Sequence, residues 1–276
     1  MKNLKTSLFT LLLLAVLSSC EDTNISNLFY TPCDVDHRFE QSMAYNQVSP
    51  IDTVKTTHGN YAFWITSDLH IKESTPPYVE QFLKNADKDS AQFIVYNGDI
   101  YHGQEAYATY ASQVLHSQSP LPAFYVAGNH DLYFGWDIFQ NNFGSSTYTA
   151  IIQTPAGNDL LIMLESASAT LGNSQYKWLQ EQLKQRGNYR HCFVFTHTNL
   201  QYQHITNGVF MADEAHALYR LFSDNKVSAV FTGHSHVENQ QTLLGVQYIT
   251  TGSLKNGQLG MVNVTDNEVR VEFKHL

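Results

Sequence analysis

The chain has 276 residues, 43% of them hydrophobic and 15% charged, which is too apolar and too weakly charged for intrinsic disorder. Sixteen Lys and Arg against 25 Asp and Glu leave a net charge of −9, which excludes the basic footprint of a protein that grips long nucleic acid. The length suits one large globular domain with a substantial core, and 13 histidines are many for a chain of this size.

In chain order, residues 1–20 read MKNLKTSLFTLLLLAVLSSC. Lys2 and Lys5 make a basic start, and residues 8–17 form an apolar run. That run falls short of the roughly 20 residues that span a membrane and has the form of a secretory signal. Leu-Ser-Ser-Cys at 17–20 resembles the lipobox of bacterial lipoproteins. The resemblance implies removal of residues 1–19 as a signal peptide and acylation of Cys20. The expectation is an exported protein of the bacterial cell envelope, held to a membrane by lipidated Cys20 and facing periplasm or surface. Residues 20–57 are turn-rich and weakly periodic (Asn24, Asn27, Pro32, Pro50), and read as a tether that ends in packing on the domain edge. Cys192 lies in the apolar run HCFVFT. Export would permit it to pair with Cys33, but free buried thiols are the expected state.

From residue 58 onward one domain is expected. Short runs rich in β-branched and aromatic residues predict strands at 61–66, 93–96, 123–127, 147–152, 160–164, 192–196, 227–231, 246–250, 261–264 and 269–273. Helical periodicity falls at 77–86, 105–116, 175–185 and 213–222, with Ser174 as the expected N-cap of the third. The early order strand, helix, strand, helix, strand predicts parallel pairing through crossover helices. The later crowding of strands predicts an added antiparallel portion. In open α/β sheets ligands bind beyond the carboxyl ends of the strands.

Five of these strands are followed at once by residues that carry chemistry. They are Ser67-Asp68-Leu69-His70, Asn97-Gly98-Asp99, Gly128-Asn129-His130-Asp131, His197, and Thr232-Gly233-His234-Ser235-His236. Gly98, Gly128 and Gly233 are expected to turn the backbone sharply, so that the next side chain enters a common crevice. Asp68, Asp99, Asn129, His70, His197, His234 and His236 make seven oxygen and imidazole donors without a thiolate. Such a set suits Mn, Fe or Zn and argues against a structural Cys-type zinc site. Seven donors exceed one tetrahedral ion and match two ions sharing a carboxylate, the arrangement that serves phosphoryl transfer.

This ordered set resembles the calcineurin-like metallophosphoesterase family, whose motifs are Asp-x-His, Gly-Asp, Gly-Asn-His-Asp/Glu, a lone His and Gly-His-x-His. The match runs from Asp68 to His236. It implies an α/β fold, a four-layer α/β/β/α sandwich with two mixed β-sheets. Asp68, His70 and His236 would hold one divalent or trivalent ion (Mn, Fe or Zn). Asn129, His197 and His234 would hold a second, and Asp99 would bridge them. A hydroxide between the ions would be the nucleophile. His130 would protonate the leaving group or stabilise the phosphoryl oxygens, with Asp131 orienting its imidazole.

Two departures narrow the subfamily. Purple acid phosphatases have Gly where His70 stands and a Tyr ligand three residues after the bridging aspartate, where this chain has His102. Tyr101 is one position early, so an Fe–tyrosinate enzyme is not expected. Tyr133, His102, Asn199 and His204 are candidate substrate contacts, from the aromatic run 133–139 and the loop 199–207. The expected function is an exported phosphoesterase of small phosphoesters, diesters before monoesters. Its rivals are a phosphomonoesterase or nucleotidase, and a catalytically silent binding lipoprotein of the same fold.

Overall fold

The structure, a computed structural model, describes residues 33–51, 53–86, 91–119, 121–200 and 209–276, all within one compact unit, Pro32–Leu276. The expected signal peptide, Cys20 and His204 lie outside the described residues. Helix α1 (Cys33–Val48) leads into β1 (Val54–Lys55) and β2 (Tyr61–Thr66). Then come α2 (Pro77–Asn85), β3 (Ile94–Asn97), α3 (Glu105–Gln118), β4 (Ala123–Val126) and α4 (Trp136–Phe143). The second half holds β5 (Tyr148–Thr154), β6 (Gly157–Leu164), α5 (Gly172–Lys184), β7 (Cys192–Thr196), α6 (Ala212–Asp224) and β8 (Ala229–Thr232). It closes with β9 (Asn239–Leu243), β10 (Val246–Thr250), β11 (Gln258–Val264) and β12 (Val269–His275).

The strands form two mixed sheets, ordered β12-β11-β2-β3-β4 and β1-β5-β6-β7-β8-β10-β9. As the order of elements predicts, β2, β3 and β4 pair in parallel, and so do β6, β7, β8 and β10. The antiparallel additions are β11 and β12 on one sheet, and β5 and β9 on the other.

Alternation along β2 shows how the layers arise. Tyr61, Phe63 and Ile65 face the opposite sheet, while Ala62 and Trp64 face the helices. Strand β7 is buried along its whole length because both of its faces are covered. Phe193 and Phe195 point between the sheets, and Cys192 and Val194 point to the helical layer. The inter-sheet core is aromatic, with Phe63 on Phe93 at 4.7 Å and Phe195 on Phe231 at 5.0 Å. Each such ring contributes about 1.5–3 kcal/mol on burial. Helices α2, α3 and α4 cover one outer face and α5 and α6 the other, which completes the four-layer sandwich.

Several local expectations change. Residues 33–48, turn-rich by composition, form α1, held by Arg38, Phe39, Ser42 and Asn46 against the α5 side of the domain. Ser174 lies inside α5 rather than capping it. Its amide is capped from another element, by Asp36 Oδ1 at 2.8 Å. Helix α4 and strands β1 and β9 have no counterpart in the sequence prediction. Cys192 is a free, buried cysteine. Among the described residues no helix is long and apolar enough to cross a membrane.

Candidate metal centre and active site

The loops leaving the carboxyl ends of β2, β3, β4, β7 and β8 meet where the two sheets adjoin. Five of the seven expected donors hold positive φ without being glycine: Asp68 (56°), His70 (49°), Asp99 (52°), His234 (68°) and His236 (56°). Each such residue costs about 1–3 kcal/mol, and the cost concentrates where side chains must converge. The strain is held in place by backbone bonds between loops. Asp68 N donates to Gly98 O at 2.9 Å, His70 N to Asp99 O at 3.0 Å, and Gly233 N to His197 O at 2.9 Å.

The glycines divide by reason. Gly98 takes a φ of 91°, as expected of a turning residue. Gly128 and Gly233 are needed for close approach. A Cβ on Gly128 would lie 2.2 Å from Asp99 Oδ1, and one on Gly233 would lie 2.6 Å from Ser67 Cβ.

The donors gather in two groups, Asp68 with His70 and His236, and Asp99 with His197 and His234, each with ligand atoms within 4.8 Å of one another. His236 Nε2 is 3.0 Å from Asp68 Oδ1 and 3.3 Å from His70 Nε2. His197 Nε2 is 3.3 Å from Asp99 Oδ2 and 4.0 Å from Asp68 Oδ1, so the groups adjoin. Asn129 joins the second through its Oδ1, 2.9 Å from His234 Nδ1. His197 donates Nδ1–H to Asn97 O at 2.8 Å, which turns Nε2 inward. Ser67 Oγ and His234 N both donate to Asp68 Oδ2, at 2.6 and 3.0 Å, which leaves Oδ1 for the site.

These residues fit metal ions. Asp68 Oδ1 and His197 Nε2 are buried and neither makes a well-formed hydrogen bond, although His236 Nε2 and Asp99 Oδ2 stand 3.0 and 3.3 Å from them. Orphaned buried polar atoms are costly unless something satisfies them. The electrostatics agree. Burial would raise the Asp99 carboxyl, but His197, His130 and His70 hold it well below the carboxylate range. Burial opposes charge on His197, yet Asp99 and Asp68 push it up to about 10. The pull toward positive charge at this point is the one that a bound cation would answer.

His130 sits beside the donors, with Nε2 3.9 Å from Asp99 Oδ2 and 3.1 Å from the Tyr133 hydroxyl. Its Nδ1 faces His102 Nδ1 at 2.8 Å, and the two rings stack at 4.8 Å. Burial pushes its pKa down to about 4. Asp131 does not orient this imidazole. Its fully buried carboxylate accepts from Tyr101 N at 2.9 Å and Gly128 N at 2.8 Å, pinning the two loops together. His102 and Tyr133 flank the ring instead. Asn199 is buried and donates to Thr232 Oγ1 at 2.8 Å and Thr250 Oγ1 at 3.2 Å, tying strand ends together. Tyr101 is buried and donates its hydroxyl to Asp131 O at 2.6 Å, so it is committed elsewhere than to an ion. In the aromatic run, Trp136 and Phe139 belong to the core while Phe134 is 49% exposed. Two supporting groups, the Ser67 hydroxyl and the Asn97 carbonyl, have no signal of their own in the motif spacing. The first lies within the motif it supports, and a backbone carbonyl leaves no trace in a sequence.

Known structures share this fold. A dimetal phosphatase from Danio rerio superimposes with a TM-score of 0.63 at 13% identity, covering 78% of this chain and 96% of its own. GAP50, the anchor in the inner membrane complex of Plasmodium, gives 0.62 at 15% identity, with 78% and 84% covered. A purple acid phosphatase from yellow lupin seeds gives 0.56 at 13% identity, with 79% and 52% covered. No curated protein matches the chain by sequence. The profile of the calcineurin-like phosphoesterases matches residues 61–238, from the first residue of β2 to just past His236. With the motif residues converged as described, the chain belongs to the calcineurin-like phosphoesterase family and is a metal-dependent phosphoric ester hydrolase.

Proposed function

We propose that the chain hydrolyses small phosphoesters with two metal ions, from an exported, lipid-anchored position in a bacterial cell envelope. The observation that carries the reading is the pair of adjoining donor groups, with Asp68 Oδ1 and His197 Nε2 buried between them and making no well-formed hydrogen bond. Asp68, His70 and His236 would hold one ion; Asn129, His197 and His234 the other; Asp99 lies between them. When bound, the ions supply charge for the phosphoryl oxygens and a hydroxide nucleophile at neutral pH. His130 directs Nε2 toward the same space and offers a hydrogen bond to the leaving oxygen or the phosphoryl group. Phosphodiesters are proposed before monoesters, and an envelope location favours nutrient or phospholipid esters over cyclic nucleotides of the cell interior.

The full-length chain, stripped of metal and resupplied with Mn²⁺, Zn²⁺ or Fe²⁺, tests this on a chromogenic diester and its monoester. Activity should return with metal and be absent from Asp99→Asn, with the diester turned over faster. A monoester preference would support the nucleotidase reading. A folded, metal-loaded chain with no turnover would leave a binding protein.

A further inference from the structure

Helix α1 lies outside the stretch that the family profile matches, yet it reaches the back of the site through buried polar contacts. Arg38 and Glu165 are both buried, and Arg38 Nε donates to Glu165 Oε2 at 2.8 Å. Arg38 Nη2 also donates to Ser168 Oγ at 2.9 Å. Glu165 is the first residue after β6. Its other oxygen accepts from Ala167 N at 2.8 Å, and its own amide donates to the buried Gln175 of α5 at 2.8 Å. The next residue, Ser166, holds Thr198 twice. Thr198 N donates to Ser166 Oγ at 3.0 Å, and Thr198 Oγ1 donates to Ser166 O at 2.6 Å. Thr198 directly follows His197. A continuous buried path thus runs from α1 to the imidazole whose Nε2 faces Asp99 in the site.

We infer that Arg38 and Glu165 are positioning residues, and that α1 sets the metal affinity of the His197 group through the Ser166–Thr198 clamp. The inference rests on His197 being a metal ligand, as read above. A carboxylate buried among α1, β6 and α5 keeps its place only while the guanidinium faces it. Without Arg38, residues 165–168 relax toward water, and Thr198 moves with Ser166. Outer partners that aim a ligand commonly govern about 10–100-fold in metal affinity.

A matched control exists on the same two strands. Arg190, just before β7, pairs with the buried Asp159 of β6 at 2.6 Å, at the end of the sheet away from the site. Titration of the metal-free, full-length chain with Mn²⁺, beside thermal unfolding in chelator, separates positioning from mere support. Arg38→Met and Arg190→Met should both lower the metal-free Tm. Only Arg38→Met should weaken one of the two Mn²⁺ equivalents, by about tenfold or more. Should Arg38→Met not fold, Arg38→Lys, which keeps the charge and loses the fork to Ser168, should weaken the same equivalent by about threefold. Unchanged isotherms in the Arg38 variants, or the same change in Arg190→Met, overturn the inference. A wild-type chain that takes up no Mn²⁺ overturns it together with the reading of His197.

Discussion

His130 shows how one side chain's neighbours decide what it does. Asp131, next in the chain, is spent on two loop amides, and the ring lies between the Nδ1 of His102 and the hydroxyl of Tyr133. With no carboxylate hydrogen-bonded to its ring, and with burial pushing its pKa down to about 4, His130 is neutral near pH 7 in the metal-free chain. It acts as a neutral N–H donor rather than a standing cation. A donor aimed at the leaving oxygen matters most when that oxygen departs as a poor alkoxide. His130→Gln should therefore lower kcat by about 10²–10⁴-fold for an alkyl phosphoester, and far less for a p-nitrophenyl ester, with metal content unchanged. His102→Ala should fall the same way by a smaller factor. Equal losses on both esters would show that His130 acts on binding or structure instead. At this scale the donors were legible because motif spacing at strand ends carries them. The role of Asp131 was not, since adjacency in sequence says nothing of which way a buried carboxylate faces.

Whole elements were legible where periodicity reports burial. Strand β7 reads as an unbroken apolar run because it is covered on both faces, and α6 reads as a stripe because only Ala215, Leu218 and Phe222 are buried. Helix α1 is different. Beside Val35 and Phe39 its contacts are polar and specific (Arg38, Ser42, Asn46), so the stripe that would have announced it is weak. Strand β9 is exposed along its length and exists by pairing with β10, which leaves no alternation to find. The start of α5 failed for a related reason. Ser174 looked like a local cap, but Asp36 supplies it from 138 residues away. Asp36→Ala should cost about 1 kcal/mol, the usual worth of a cap, and lower Tm by about 2–4 °C. Ser174→Ala should cost much less. Thermal unfolding of the two variants side by side checks this, and equal losses would put the cap back on Ser174.

For the whole molecule, the buried site makes stability depend on what fills it. Although burial opposes it, Asp99 and Asp68 push His197 up to about 10, against about 6.5 in an unfolded chain. Between those values the folded state binds a proton that the unfolded state releases, so stability falls as pH rises. The contribution is complete below about pH 6.5 and is lost as pH passes through about 10. Asp99, the other half of the interaction, is held well below the carboxylate range. Its share is lost only in acid, so above about pH 6.5 the change comes from His197 together with His236, which the Asp68 carboxylate also holds above the ordinary imidazole value. Metal ions on the imidazole nitrogens of His197 and His236 displace those protons, which removes the pH dependence and releases at least one proton per chain on loading near pH 7.5. In chelator, Tm should therefore decline from about pH 7 to 9.5, while with saturating Mn²⁺ it stays level or rises. Buried tyrosines with raised pKa values, such as Tyr96 and Tyr101, titrate in both forms and cancel in the comparison. Metal titrations in two buffers of different ionisation enthalpy count the released protons. A metal-free Tm that is flat across this range would mean that His197 and Asp99 do not share a proton, and the site would be held apart by something other than charge.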